Sequence, residues 1–450
     1  MKYSLRQILC ALLLTLLSLG NLSAQEMEQP IETAPDGALC KPGTNPHSDE
    51  VTGPNETSPG VKAIANGGTE FGCDLFRRLA TKGGNLFFSP ASLHIALAMT
   101  FVGAGGETST QMAKTLHFVV EGGRISKEFG AYLRGLANVG QDDSGKPAAE
   151  LLIANALWGQ QNFPFRPKFI EFMGKGFEAK FDTLDFKDSE TARQTINNWV
   201  LEKTHDRIRD LIPSGILNAL TRLVLTNAIY FKGTWATAFP KAATENETFV
   251  ASIKENFQVP MMHIRKNFGY GETQDCQILR LPYKGQAVSM VLILPRTIEG
   301  LAGLEAGLSE KQLTDWITSL QNCEVIVTMP RLRLEGDFKL REILSPMGMP
   351  LAFSDGKADF GGMITPDAIK EGKGLFISEV LHKAFVAIDE EGTEAAAATA
   401  VVMRKTTAAA CEFAPPKVFK ADHPFLFLIR HDPTGALLFL GRCADPRSHP

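Results

Sequence analysis

Residues 390–411 read EEGTEAAAATAVVMRKTTAAAC, a run of mostly small side chains between two strongly apolar segments. A strand-like segment, residues 379–388, ends just before this run, and an apolar hairpin pattern follows it at residues 425–440. Composition alone allows two alternatives, a continued alanine-rich helix or a flexible low-complexity linker. Neither explains the flanking strands, and a loop of about 20 residues inside a compact domain usually carries function. The sequence therefore predicts a long functional loop between strands.

If this stretch forms a β-strand, alternate residues counted from Thr393 fall on opposite faces. One set of alternate residues is uncharged and comprises Thr393, Ala395, Ala397, Thr399, Val401 and Met403. The other set begins at Glu394 and ends at Arg404, so it starts and finishes with a charge. This split is typical of a strand with one buried and one solvent-facing side. A helix would instead mix Glu394, Ala398 and Val401 on one stripe, so the pattern favours a segment that can form a strand.

Helical patterns come first along the chain and strand patterns cluster later, which favours an α+β domain. Ser89-Pro90 begins an apolar helix that continues to Gly103, and residues 191–204 form an amphipathic surface helix. The later strand-like segments are residues 223–231, 288–294, 324–329 and the hairpin around 432–435. Motifs for a hydrolase elbow, a zinc protease helix or a phosphate-binding loop are absent from the sequence. The sequence therefore predicts neither a catalytic site nor a cofactor or metal site.

Five motifs, in order and spacing, resemble those of the serpin family, protease inhibitors that insert a loop into a sheet. They are NLFFSPAS at residues 85–92, TNAIYFKGTW at 226–235, ADF at 358–360, EEGTEAAAAT at 390–399 and FKADHPFLFLI at 419–429. The likeness extends from about residue 65 to residue 446. Two features depart from the family pattern: Asp206-Arg207 replaces the usual Gly-Lys after the surface helix, and the loop before Pro415-Pro416 is somewhat long. The resemblance implies a single α+β domain with three β-sheets, about eight or nine helices and an exposed reactive-centre loop at residues 390–414.

The resemblance also implies the site residues. The hinge of the loop would be Glu390, Glu391, Gly392, Thr393, Glu394, Ala395, Ala396, Ala397, Ala398 and Thr399. A buried polar cluster that controls sheet opening would be Ser89, Ser92, Asn227 and His382, although each could equally be a helix cap or a satisfied core group. The reactive bond would join Thr406 to Thr407, with Lys405 and Arg404 as alternative residues before the cut.

The predicted function is suicide inhibition of serine endopeptidases, in which the cleaved loop enters the central sheet. Thr406 would suit an elastase-like protease, whereas Lys405 would suit a trypsin-like one, and subtilisin-like or cysteine proteases are further candidates. The alternative is a non-inhibitory serpin acting as a binding or structural protein, which would be expected to carry bulky, charged or Pro residues at the hinge. Thr393 and the alanines after it favour the inhibitor.

Residues 1–24 have the layout of a secretory signal peptide, with Lys2 and Arg6 before an apolar run from Ile8 to Leu19. The alternative is an uncleaved anchor. Residues 25–64 are rich in Pro and Gly and are predicted to form a disordered tether, which leaves the domain at 65–446. We expect a secreted or periplasmic monomer without a membrane partner. Because Lys+Arg 46 does not exceed Asp+Glu 50, we expect no nucleic-acid partner.

Overall fold

A computed structural model describes residues 57–119, 122–142, 145–393 and 415–447. The helices in these ranges are α1 Pro59–Leu79, α2 Pro90–Phe101, α3 Gly106–Thr115, α4 Gly122–Leu136, α5 Pro167–Phe177, α6 Ser189–Lys203, α7 Leu301–Gly307, α8 Glu310–Thr318, α9 Arg341–Met347 and α10 Pro366–Lys370. No helix among the described residues is long and apolar enough to cross a membrane.

The strands of the described ranges are β1 Leu86–Phe88, β2 Ala149–Gln160, β3 Lys180–Leu184, β4 Leu223–Thr234, β5 Glu245–Ser252, β6 Glu255–Glu272, β7 Cys276–Pro282, β8 Val288–Pro295, β9 Gln321–Pro330, β10 Leu332–Lys339, β11 Glu379–Ile388, β12 Gly392–Thr393, β13 Lys417–Lys420, β14 Phe425–His431 and β15 Ala436–Cys443. The α+β class is confirmed. The predicted strand segments correspond to β4, β8, β9 and the β14–β15 hairpin.

The described strands form two hydrogen-bonded sheets. The larger has the order β1-β15-β14-β8-β7-β6-β9-β13, with β5 added on β6, and the smaller has the order β10-β11-β12-β4-β2-β3. Three sheets and eight or nine helices were expected, whereas the described residues form two sheets and ten α-helices. The long strand β6 pairs with β5, β7 and β9, and it thereby joins what would otherwise be two separate sheets.

Helix α1 begins earlier than the sequence pattern suggested. The Ser58 hydroxyl accepts a hydrogen bond from the amide of Val61, and Pro59 occupies the first turn. Ser at the cap and Pro at the first helical position together favour helix initiation here. The tether predicted for residues 25–64 must therefore be corrected, because its last six residues, 59–64, are helical.

Helix α2 follows its prediction closely. The Ser89 hydroxyl caps it by accepting from the amide of Ser92, and Pro90 is its first residue. All twelve residues of α2 are buried. The helix therefore lies inside the domain, where it can place polar side chains against the back of the smaller sheet.

Strand β4 separates two apolar cores. Leu225 and Ile229 point into the main core, whereas Val224 and Ala228 pack in a second core that also contains Ile196 of α6. This alternation is the period-2 pattern of a central strand that is covered on both faces. After α6 the chain turns through Asp206, whose positive φ of 61° explains why the family pattern has Gly there. Asp tolerates this conformation better than most other residues.

Candidate functional site: the loop hinge and the buried polar cluster

The first residues of the loop are already part of the smaller sheet. The two-residue strand β12 lies between β11 and β4 and runs antiparallel to both, with Thr393 opposite Ile388 on one side and Gly233 on the other. Farther along, β11 and β4 pair directly with each other in parallel, from Glu379 opposite Val224 onward. The start of the hinge, β12, therefore lies as a short wedge between one end of β4 and one end of β11. We call the line along which β4 and β11 pair directly the β4–β11 seam.

Thr393 points into the core at the tip of this wedge. Its side chain is 0% exposed, and its hydroxyl lies 2.7 Å from the hydroxyl of Tyr283. Burial raises the pKa of Tyr283, so this phenol stays protonated and can donate a hydrogen bond. Tyr283 stacks on Trp235 at 4.5 Å, and the indole of Trp235 donates to the carbonyl of Asp389 at 2.9 Å. An aromatic pair therefore holds both ends of the turn that leads into β12.

Gly392 needs the freedom of glycine at this point. Its φ is +149°, and a Cβ there would overlap the carbonyl oxygen of Gly233 on β4. The amides of Glu391 and Gly392 both donate to the carboxylate of Asp389, at 2.8 and 3.2 Å. The turn thereby satisfies its backbone while bringing the chain close to β4.

The two acids that open the hinge are held by cations. Glu390 is only 2% exposed and accepts hydrogen bonds from Nε and Nη2 of Arg331, at 2.8 and 2.5 Å, and from the Thr244 hydroxyl at 2.5 Å. Burial alone would raise its pKa, but the hydrogen bonds from Arg331 and Thr244 hold the pKa of Glu390 below its ordinary value. Glu391 pairs with Lys241 at 2.5 Å. These pairs fix the chain just before the hinge enters the sheet.

The structure brings together all four residues of the predicted polar cluster, Ser89, Ser92, Asn227 and His382. The amide of Ser89 donates to Nε2 of His382 at 3.1 Å. Because an amide can only donate, Nε2 is the unprotonated nitrogen, and Nδ1–H donates to Oδ1 of Asn227 at 2.5 Å. The Asn227 amide nitrogen in turn donates to the Ser92 hydroxyl at 2.5 Å.

Asn155 of β2 is a fifth member that the sequence analysis missed. Its Oδ1 accepts from the second N–H of Asn227, and β2 and β4 place the two residues directly opposite each other. Apart from the last residue of β2, Asn155 carries the one side-chain amide in this apolar strand. A lone amide in an apolar strand was the sequence feature that could have indicated a buried polar contact. The cluster therefore links α2, β2, β4 and β11 through one amide.

The cluster lies across the β4–β11 seam. Asn227 and His382 are register partners in the parallel ladder, so the two strands cannot separate without breaking the hydrogen bond between them. Burial lowers the pKa of His382 to about 3, which keeps the ring neutral at physiological pH. Separation of the strands would therefore leave neutral groups without partners, which costs less than leaving a buried charge unpaired.

The remaining site predictions lie outside the described residues. These are Glu394, Ala395, Ala396, Ala397, Ala398, Thr399, Arg404, Lys405, Thr406 and Thr407. The described site consists of the anchored hinge start and the polar cluster. Within the described residues, no group of three or more His, Cys, Asp or Glu side chains is arranged to hold a metal ion.

Comparison with known proteins identifies the family. The family model described as "Serpin (serine protease inhibitor)" matches residues 66–446. The chain belongs to the serpin family. It is 39% identical over 399 residues to the human leukocyte elastase inhibitor and 41% identical over 400 residues to the bovine one, in each case covering 86% of this chain and 100% of the relative. This serpin is therefore a protease inhibitor and not itself an enzyme.

A solved structure agrees with the fold of this serpin. The crystal structure of Serpin48, described as a highly specific serpin in the insect Tenebrio molitor, superposes with a TM-score of 0.75 at 30% sequence identity. The match covers 86% of this chain and 99% of that chain.

These comparisons contradict the predicted secreted or periplasmic location. The leukocyte elastase inhibitors are matched over their whole length by 86% of this chain, and the family model begins at residue 66. The apolar segment at residues 1–24, on which that location was based, therefore has no counterpart in these relatives. The prediction is wrong on this comparison, and we assign no location from residues 1–24.

Proposed function

We propose that this serpin is a suicide inhibitor of elastase-like serine proteases. The protease cleaves the loop, and the cleaved loop then enters the smaller sheet as a new strand between β4 and β11. The names of the relatives support an elastase-like target. The observation that carries the proposal is β12, which already occupies the first position of that strand and is antiparallel to both neighbours.

The register of β12 supports this proposal, because its continuation would assign each loop residue a position in the new strand. If the strand continues from Thr393, every second residue points into the main core, and its neighbours on β4 and β11 follow from the observed pairs. Ala395 then lies between Phe231 and Val386, Ala397 between Ile229 and Ala384, and Thr399 between Asn227 and His382. The neighbours of the two alanines are apolar core residues, so a small uncharged side chain fits these positions.

The polar cluster fits the same register. Insertion must separate Asn227 from His382, which would leave a buried amide oxygen and a buried imidazole N–H without partners. Thr399 carries a hydroxyl that can both donate and accept, and the register delivers it between those two groups. In this proposal the cluster holds the seam closed in the intact protein and accepts Thr399 once the strand is in place.

The protease supplies the nucleophile for the covalent step. Its serine oxygen attacks the carbonyl carbon of Thr406, the Thr406–Thr407 bond breaks, and the amine of Thr407 leaves with a proton. The protease remains attached as an ester of Thr406 when the loop inserts. Thr406 has the small side chain that an elastase pocket accepts, whereas cleavage after Lys405 or Arg404 would suit a trypsin-like enzyme.

The experiment is to incubate the purified protein with elastase-, trypsin- and subtilisin-like proteases and with a cysteine protease, and to separate the products on denaturing gels. We expect a covalent band near the summed mass with elastase, and mass spectrometry should detect the released fragment that begins at Thr407. Nicking of the loop with every protease left active would refute inhibition and favour the non-inhibitory alternative. A fragment beginning at Thr406 or Lys405 would instead move the reactive bond.

A further inference from the structure

A cleft of about 450 Å³ lies beside the hinge, where β10 begins and β11 ends. Its lining includes two apolar residues that are not buried, exposed Pro260 and half-buried Ala387, together with Arg331, Arg333 and Arg447. None of the described residues that line it is acidic. Its volume falls within the range of typical small-molecule sites, which combine apolar walls with a few placed polar groups. We call it the arginine cleft.

The guanidinium groups of the cleft differ in how fully they are engaged. Arg447 bonds Asp445 at 2.6 Å and Glu255 at 3.2 Å. Arg333 is 59% exposed, stacks on Phe385 at 5.0 Å and lies 3.8 Å from the Glu335 carboxylate, which is beyond hydrogen-bond distance. No hydrogen bond to the Arg333 guanidinium comes from the described part of the chain. Arg333 therefore has donors available for a ligand carboxylate.

Arg331 connects the cleft to the hinge. It lines the cleft, and its Nε and Nη2 hold the carboxylate of Glu390, two residues before Gly392. Both bonds from Arg331 go to one oxygen of Glu390, and its Nη1 makes no hydrogen bond with the described residues. A second carboxylate bound to the remaining donors of Arg331 would share its positive charge and repel Glu390. Ligand binding in the cleft would then weaken the ion pair that holds the chain just before β12.

We infer that the arginine cleft binds a small organic anion with an apolar body, and that this ligand weakens the hold of Arg331 on Glu390. Arg333 and Arg331 bind the carboxylate, and the apolar body lies against Pro260 and Ala387. The coupling to loop insertion rests on the proposed function, whereas the binding site does not.

The probe for the site is decanoate, with 1-decanol as the uncharged molecule of the same chain length. Isothermal titration calorimetry of the full chain should show saturable binding of decanoate and at least tenfold weaker binding of 1-decanol. The variant R333Q should weaken decanoate binding about tenfold, since it removes a charge-assisted pair. The control R265Q changes an exposed arginine of β6 that pairs with Glu324 outside the cleft, and it should leave binding unchanged. Equal binding of the two probes, or an unchanged affinity in R333Q, would overturn the inference that the arginine cleft binds an organic anion.

The effect of the ligand on the hinge is measured by the fluorescence of Trp235. The indole of Trp235 donates to the carbonyl of Asp389 in the hinge turn and stacks on Tyr283. Saturating decanoate should shift the tryptophan emission of the wild type but not that of W235F. Binding without any shift would overturn the coupling. Formation of the covalent complex with elastase in the absence of decanoate tests the proposed function separately, so failure of one claim does not imply failure of the other.

Discussion

Replacing Thr393 by arginine tests the direction in which the first loop residue faces. Thr393 is fully buried beside the Tyr283 hydroxyl, and no carboxylate is hydrogen-bonded to it or to that phenol within the described residues. Placing an unpaired guanidinium there would cost at least about 3 kcal/mol. In the intact protein β12 is only two residues long and can leave the sheet to expose the arginine, whereas insertion must return residue 393 to the buried position. The cost therefore raises the barrier to insertion, which slows about a hundredfold or more. The trapped ester would then be hydrolysed first, and T393R would be a substrate instead of an inhibitor.

The matched control is E394R, which adds the same side chain one residue later, on the face that the proposed register would turn away from the core. Residual elastase activity is titrated against each variant, and covalent complex is quantified on denaturing gels. We expect T393R to be cleaved without complex formation and E394R to inhibit nearly as well as the wild type. Unchanged inhibition by T393R, or an equal loss in both variants, would refute the register.

Three further predictions concern the residues around the seam. The pKa of His382 is lowered from 6.5 to about 3 on folding, so the histidine of the unfolded chain takes up a proton at higher pH than that of the folded chain. Protonation of His382 should therefore lower the free energy of unfolding by about 1.4 kcal/mol per pH unit as the pH falls from 6.5 towards 3. Urea titrations of H382Q should lack this part of the pH dependence. His94, with a pKa lowered to about 4, adds its own slope in both proteins, and identical slopes in the two would contradict the prediction. N227L should cost about 4 kcal/mol of unfolding free energy, because it leaves His382 Nδ1–H and Asn155 Oδ1 buried without partners; a loss below about 1 kcal/mol would show that the cluster does not hold the seam. G392A should destabilise the protein more than G372A, since both glycines have positive φ but only a Cβ at Gly392 would meet the backbone of β4, and equal urea midpoints would argue against this account of Gly392.

Much of the fold could be predicted from local sequence patterns. Helix α2 was predictable because Ser89 and Pro90 are a cap and a first helical residue. Strand β4 was predictable because a central strand is apolar on both faces. The joining of the sheets could not be predicted, because it depends on how the 18 residues of β6 divide between three partner strands. The local sequence of a strand does not show which strands it pairs with.

The site was predicted in part. Resemblance placed Asn227 and His382 in one cluster, but Asn155 was missed because a single polar residue in an apolar strand does not show which side chain it bonds. The Arg331–Glu390 pair joins residues 59 positions apart, and nothing in either local sequence indicates it. The contact between Tyr283 and Thr393 joins residues 110 positions apart and likewise cannot be predicted from either local sequence. Contacts of this kind are set by the packing of the whole domain.

Hydrogen exchange of the loop amides tests insertion most directly. The protein is cleaved in the loop with a protease that it does not trap, and exchange of residues 394–403 is compared before and after cleavage. We predict strong protection of these amides in the cleaved protein, because each would join a ladder between β4 and β11. Exchange of the cleaved loop at the rate of an unstructured peptide would contradict the claim that it becomes a strand of the smaller sheet.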